Sequence, residues 1–326
     1  MSSDVFLLGG TGFIGREFVT TAVRSGARVR ALVRTAEGAA QMEQLGAAPV
    51  LGDAAVAGPW IEDVEGAAAL IDLVQPRLPD RLGRKAIDAV AADRMQVTGT
   101  VVNALRQLPD SRRPLLVSVS GVSELEPDVE GRISHRSAVV KDPAGFARIG
   151  VPVRRAIEDS GVEAFFVHLG TVYGPGKAFA ARILPDLARG KARIIGRGDN
   201  RMALVHVVDA ARAILHLAGK ERAATTRRTW VVADGADTTQ RDFLEQAATL
   251  MGGPRPRHVP VWLASLVAGR VLAELLSADS PTNPEALIGA GFRFQYPSHH
   301  TGMPATVAAL RQAAAATPRL AEMVAR

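Results

Sequence analysis

No cysteine occurs among the 326 residues, so the chain forms no disulfide and offers no thiolate as nucleophile or ligand. Tyrosine is nearly missing as well: Tyr173 and Tyr296 are the only two, in a chain that is 5% aromatic. The basic excess, a net charge of +6, is scattered rather than gathered into runs, and it lacks interleaved aromatics. Nucleic acid is therefore not an expected partner. No apolar stretch reaches the roughly 20 residues of a membrane span. The longest, residues 261–276, is interrupted by Arg270 and Glu274 and is expected to be one helix packed on the rest of the protein. The N-terminal apolar run has only a strand's length, unlike a secretory signal, and a reducing cytoplasm is the expected setting. Internal repeats and low-complexity tracts are also lacking.

What is present is glycine in a telling pattern. Residues 4–8 form a short apolar run, followed by Gly9-Gly10-Thr11-Gly12-Phe13-Ile14-Gly15, after which Phe18, Val19, Ala22 and Val23 recur at helical spacing. Strand, glycine turn and helix bring backbone N–H groups and a helix N-terminus up to a pyrophosphate with no side chain in between. Gly9, Thr11, Gly12, Phe13, Ile14 and Gly15 are accordingly expected to bind a dinucleotide. Ser25-Gly26 stops the helix, and 29–33 supplies the next strand. That strand ends in Arg34 and Thr35, where a carboxylate would accept the ribose 2′-OH of NAD. A cation and a hydroxyl suit a 2′-phosphate, so NADP(H) is the preferred cofactor and NAD(H) the lesser alternative. Arg34 as a solvated surface charge is the competing reading.

Further strands are expected at 49–53, 67–74, 115–120 and 164–168, with helices at 36–45, 94–108 and 153–159. Residues 121–150 carry turn formers and charge without a period, as long functional loops do. Beyond 173 the pattern is mixed, with helices at 179–188, 209–217 and 239–251 and strands at 193–195 and 230–233. Alternation first and irregularity later predict an α/β protein. It is read as a Rossmann-type doubly wound parallel sheet over 1–170, which also receives a later strand, with a smaller C-terminal unit over 171–326 for substrate.

These residues together resemble the extended short-chain dehydrogenases/reductases, the family of the NAD-dependent epimerases and dehydratases. The resemblance runs through Gly9 to Gly15, Gly52-Asp53, Val97-Thr98-Gly99-Thr100, Ser118-Val119-Ser120 and Thr171-Val172-Tyr173-Gly174-Pro175-Gly176. It continues in Asn200-Arg201, Val205-His206-Val207-Val208-Asp209 and Gly291-Phe292-Arg293-Phe294-Gln295-Tyr296-Pro297. It implies an adenine contact at Asp53, a cofactor contact at Val74, a substrate-bonding hydroxyl at Ser120, and substrate contacts at Tyr173 and Arg201. Asp53 as a loop or capping aspartate is the alternative.

The family's Tyr-x-x-x-Lys, which moves the proton and holds the nicotinamide ribose, falls on Phe146-Ala147-Arg148-Ile149-Gly150. Neither functional side chain is there. The family's usual Asn falls on Gln96, and its His-x-Ala on Asp72-Leu73-Val74. Gly150 and Pro152 disfavour a helix interior, so the following helix is expected to begin near Val151, its free N–H groups facing the cofactor.

Ser120, Asp72 and His135 are the candidates for chemistry, with Lys141 a further cation in the same loop. Asp72 bonded to a neighbouring N–H and His135 in solvent are the plainer readings. His206 and Asp209 are read as structural, Asp209 capping the helix after it. His299-His300 has no carboxylate beside it, and no metal is assigned. The expected function is an NADP(H)-dependent enzyme acting on a small carbonyl or polyol by reduction, isomerisation, elimination or ring closure without the usual acid. The alternative is a cofactor-binding regulator or accessory protein without turnover. A small-molecule substrate is the expected partner, and a homodimer is left open.

Overall fold

The computed structural model describes residues 4–77, 83–176, 179–220 and 227–316. Its strands are β1 (Asp4–Leu8), β2 (Arg28–Val33), β3 (Ala48–Leu51), β4 (Ala69–Asp72), β5 (Leu115–Gly121), β6 (Ala164–Leu169), β7 (Thr171–Tyr173), β8 (Arg193–Ile195), β9 (Leu204–His206), β10 (Thr229–Val232) and β11 (Arg257–Val259). Its α-helices are α1 (Phe13–Arg24), α2 (Ala36–Gln44), α3 (Arg84–Gln107), α4 (Ala147–Ser160), α5 (Leu184–Ala188), α6 (Val207–Ala218), α7 (Gln240–Leu250), α8 (Val261–Ala268), α9 (Arg270–Ser277), α10 (Glu285–Gly289) and α11 (His299–Ala316).

Seven strands make one parallel sheet in the order β10-β6-β5-β4-β1-β2-β3. Side chains alternate across it, as the strand period of two requires. Val5 and Leu7 of β1 pack with Phe18, Val19, Ala210 and Ile214 of α1 and α6 on one face. Phe6 and Leu8 pack with Trp60, Val101, Val153 and Ile157 on the other. Both faces are covered, so the strands read as continuous apolar runs. The chain leaves β1 toward β2 and β3, then crosses back to β4, so the strand order reverses beside β1. The crevice where doubly wound sheets bind ligands opens there at the carboxyl ends of the strands. Of the remaining elements, β7, β9, α5, α7 and α11 gather around Tyr173, Leu184, Leu204, Phe243 and Met303, α8 and α9 pack with β8, and α10 joins the core of the main sheet, with β7 paired to β9 and β8 to β11.

Three local expectations are corrected. Helix α3 starts at Arg84 rather than at 94, because Ile87 and Val90 give its first turns an apolar contact with Ile149. Helix α4 starts at Ala147, ahead of Gly150, and Pro152 lies inside it. Its first N–H groups, those of Ala147, Arg148 and Ile149, donate to the carbonyls of Ala144, Gly145 and Phe146, so they do not face a cofactor as free donors. Residues 261–276 are two helices, broken at Gly269, whose φ of +90° suits glycine. On α8, Trp262, Leu266 and Val267 are exposed rather than packed.

Candidate active site

The nucleotide side of the crevice is built from backbone. Gly9 has φ +80°, and a Cβ there would press on the Leu73 carbonyl oxygen at 2.7 Å, so the turn passes tightly across the end of β4. A Cβ on Gly15 would collide with the Gly9 carbonyl, so the helix starts directly behind the turn. Gly12 caps α1 without any side-chain bond, and it is exposed together with Thr11. A Cβ on Gly12 would meet only the Gly9 oxygen, at 3.2 Å. The helix N-terminus is therefore open to an anion, and these residues fit a dinucleotide pyrophosphate.

Arg34 is exposed and forms no ion pair with any described residue. Thr35 caps α2, its oxygen accepting the Gly38 N–H at 3.1 Å. Asp53 closes a turn on the Ala55 N–H at 2.9 Å, and Gln96 and Thr100 donate to the Ala55 carbonyl.

From this turn a cavity of about 390 Å³ extends between the ends of β4, β5 and β6 and helix α4. Ile14, Val74, Phe146, Ile149, Val153, Leu169, Val172 and Leu275 make most of its wall apolar. Its polar wall is compact. The parallel register sets Ser120 of β5 beside His168 of β6, and a short 3₁₀ turn, Val122–Glu124, folds Glu124 back over the strand end. Ser120 Oγ donates to Glu124 Oε2 at 3.0 Å, and His168 Nδ1 lies 3.1 Å from Ser120 Oγ. On the other side of the imidazole, an Arg154 guanidinium nitrogen lies 3.3 Å from Nε2. Arginine has only donors, so Nε2 accepts and the proton is assigned to Nδ1, aimed at Ser120 Oγ and, at 3.3 Å, the Gly121 carbonyl. The bonds thus run in one direction: Arg154 to His168, His168 to Ser120, Ser120 to Glu124.

Burial sets the charges of this chain. It pushes the Glu124 carboxyl up to about 7, against the opposing Ser120 hydrogen bond and the Arg154 and Arg94 charges. It drives His168 down to about 3, with the Arg154 charge acting in the same direction. His168 is therefore neutral, and its 3.6 Å approach to Glu124 is no ion pair near neutral pH.

Glycine 150 is what makes room for this arrangement. A Cβ at position 150 would fall inside the Glu124 carboxyl group, against Oε1 and Cδ. The space beside position 150 is thus occupied from the side by an acid of another element. Phe146 also lines the cavity, its ring packed among Ile87, Val90 and Ile149.

Of the sequence candidates, Ile14, Val74, Ser120, Phe146 and Gly150 come together at the cavity. The others take different roles. Asp72 is buried beneath Arg94, 2.5 Å from its guanidinium, and accepts the Val74 N–H at 3.0 Å. Both oxygens are committed, so Asp72 positions Arg94 at the cavity wall and is not placed to give a proton. His135 lies beside Glu285, at 3.8 Å, and Arg136, outside the cavity. Arg201 is clamped by both oxygens of Asp279, at 3.1 and 2.6 Å, also outside it.

Tyr173 is 1% exposed, packed edge-on against Phe179, His206 and Phe243, and burial raises its phenol. It belongs to the core cluster with Leu184, Leu204 and Met303 and not to the cavity wall. Helix α6 is capped by His206, while Asp209 accepts the N–H groups of Gln295 and Tyr296, a correction of its expected capping role. His299 meets Thr238 at 2.9 Å, and among the described residues no cluster could hold a metal ion.

Glu124, His168, Arg154 and Arg94 were not singled out from sequence. The available signals were a carboxylate four residues after Ser120 and a polar histidine inside the apolar run of β6.

A parallel doubly wound sheet with an open glycine turn at its switch point defines a dinucleotide-binding Rossmann protein. The chain belongs to the NAD dependent epimerase/dehydratase family, whose model matches residues 5–233. Among curated proteins it is similar to a 3-diazoavenalumate denitrifying reductase of Streptomyces, 26% identical over 92% of this chain and 98% of that one. It is also similar to a ceramide reductase of Caulobacter vibrioides, 25% identical over 88% and 82%. Among solved structures, the human epimerase family protein SDR39U1 with NADPH superposes with a TM-score of 0.75 at 20% identity, over 94% of this chain and 99% of that one. Thermus thermophilus UDP-glucose 4-epimerase with NAD gives 0.71 at 18%, over 95% and 99%. These likenesses confirm the fold and an NAD(P)-binding family. No helix among the described residues is long and apolar enough to cross a membrane.

Proposed function

We propose that the protein is an NADP(H)-dependent reductase of a small, largely apolar carbonyl compound. The observation that carries this reading is the cavity: a mostly apolar chamber, next to the nucleotide turn, in which Ser120 and the Glu124 carboxyl face the substrate space with Arg94 and Arg154 beside them. When bound, the nicotinamide supplies a hydride. The protein's own part is to hold the substrate oxygen at the Ser120 end, press its apolar body against Phe146, Ile149 and Leu275, and keep water out.

A sugar nucleotide is a poorer fit, since its diphosphate needs cations and those at hand are engaged, Arg94 by Asp72, Arg154 by Glu158 and Arg201 by Asp279. The names of two similar proteins, a ceramide reductase and a denitrifying reductase, support reduction over epimerisation. The preference for NADP(H) rests on Arg34, a cation without an ion-pair partner among the described residues at the end of β2. The second reading, a cofactor-binding protein without turnover, is favoured by the missing tyrosine and lysine.

The test is NADPH consumption by the purified protein with a panel of apolar ketones and aldehydes beside UDP-sugars. Consumption with an apolar carbonyl and none with the sugars is expected. NADPH retained unchanged across the whole panel would discard the reductase reading in favour of the binder.

A further inference from the structure

We propose that Glu124 is the proton donor of this site, standing in the space that glycine at position 150 leaves free and held there by Ser120 and His168. The proposal rests on the reductase reading and names the acid that reading lacks.

The geometry distinguishes the two carboxyl oxygens. Oε2 accepts the Ser120 hydroxyl at 3.0 Å. Oε1 is the atom nearest the place a Cβ of residue 150 would take, so it lies over the bare helix backbone of Gly150, and both residues face the cavity. The Gly121 N–H also donates to this carboxyl, and we assign the acid proton to Oε1, the oxygen that Ser120 leaves free.

The neighbours exclude the other donors. Glu124 is faced by Ser120 from β5, His168 from β6, Arg154 and Gly150 from α4, and Arg94 from α3. Ser120 already directs its hydrogen at Glu124, and an aliphatic alcohol is a weak acid. His168 is neutral and spends its one N–H on the Ser120 side. Neither guanidinium gives up a proton at working pH. Glu124 alone combines a position on the cavity with an acid form that persists to about pH 7.

The step balances as follows. Hydride addition forms a C–H bond at the carbonyl carbon of the substrate, and the C=O π pair moves onto oxygen. That oxygen takes the proton from Oε1, its O–H bond forming as the acid's breaks. The substrate gains two electrons as the reduced dinucleotide loses them, and the carboxylate left behind takes up a proton from solvent once the product has left and the cavity is open.

Glu124→Gln tests this directly, because the amide keeps an oxygen to accept from Ser120 and loses only the acid. Turnover is expected to fall on the order of 10²-fold or more, with NADPH affinity by calorimetry unchanged. Turnover of the unmodified protein should decline as pH rises through about 7. In the infrared difference between the two proteins, where the Asp234 carboxyl cancels, a protonated-carboxyl stretch of Glu124 should titrate at the same pH. Equal turnover in the two proteins, or no protonated-carboxyl band in that difference at pH 6, overturns the assignment while the reductase reading stands. If neither protein consumes NADPH on any carbonyl although the band titrates, the reductase reading itself fails, and the donor role falls with it.

Discussion

The two walls of the crevice differ in what they are made of. The nucleotide wall is backbone: Gly9, Gly12 and Gly15 contribute by having no side chain, and the ligand groups they offer are N–H bonds of the turn and of α1. The opposite wall is side chain: Ser120, Glu124, Arg94 and Arg154 converge from a strand, a 3₁₀ turn and two helices, with His168 buried behind them. A backbone wall tolerates drift elsewhere in the sequence, so its motif stays recognisable. A side-chain wall can be rebuilt from different elements around the same cavity, and here Glu124 enters it from the turn after β5.

The sharpest break between the walls is expected at Gly12. Gly12→Val should abolish binding of NADPH and NADH alike while the protein stays folded, since a Cβ there meets only the Gly9 oxygen and otherwise points at the ligand's approach. Calorimetry beside a thermal melt checks it, and unchanged affinity would mean that the turn is not the site.

Next in size is the attempt to restore the family's pair. Phe146→Tyr with Gly150→Lys should cost on the order of 10²-fold in turnover, because the lysine stem must displace the Glu124 carboxyl. Overpacking of this kind also costs about 1–3 kcal/mol in stability. A gain in carbonyl reduction would show that the α4 wall still has the geometry for tyrosine and lysine.

The pH dependence of stability gives a finer measure of the side-chain wall. With its pKa raised to about 7, folded Glu124 keeps a proton that the unfolded chain has already released. Its contribution is full below the ordinary carboxylate range and is lost as pH rises through about 7, on the order of 3 kcal/mol in all. Denaturant unfolding at pH 5 and pH 8 should therefore show the unmodified protein losing stability relative to Glu124→Gln. Asp234, also pushed up to about 7 by burial, slopes both proteins alike and cancels in the difference. Parallel pH profiles would place an ionised Glu124 in the folded state.

Smallest is the rim of the nucleotide wall. Arg34→Ala should weaken NADPH by about 1.5–3 kcal/mol and leave NADH nearly unchanged, as a charge-assisted contact to a 2′-phosphate requires. Equal affinities for the two nucleotides before mutation would remove the NADP(H) preference.

How much could be read in advance follows from the same contrast. The glycine spacing, the apolar runs of β1, β2, β5 and β6 and the stop at Gly26 are local signals, and local signals specify both the sheet and the turn. Ser120 was legible from its place at the end of β5. Glu124 was not, because it sits in a stretch without a period and its partners lie 4, 26, 30 and 44 positions away along the chain. Arg94 carried no signal of its own and Asp72 read as a candidate acid or one bonded to a neighbouring N–H, until the fold pairs the two, 22 positions apart, out of water. The break of residues 261–276 at Gly269 was hidden by the apolar residues on both sides of it.

One hydrogen atom, the side chain of Gly150, also bears on the routes open to this sequence under mutation. Every L-residue other than glycine at 150 brings a Cβ into the Glu124 carboxyl. Removing Glu124 first leaves the Ser120 hydroxyl and the buried His168 without the acceptor that ends their chain. Each single step toward a lysine at 150 thus passes through a damaged intermediate, whichever of the two residues changes first. The pair is expected to behave as one inherited unit, with the effect of either change reversing in sign once the other is in place.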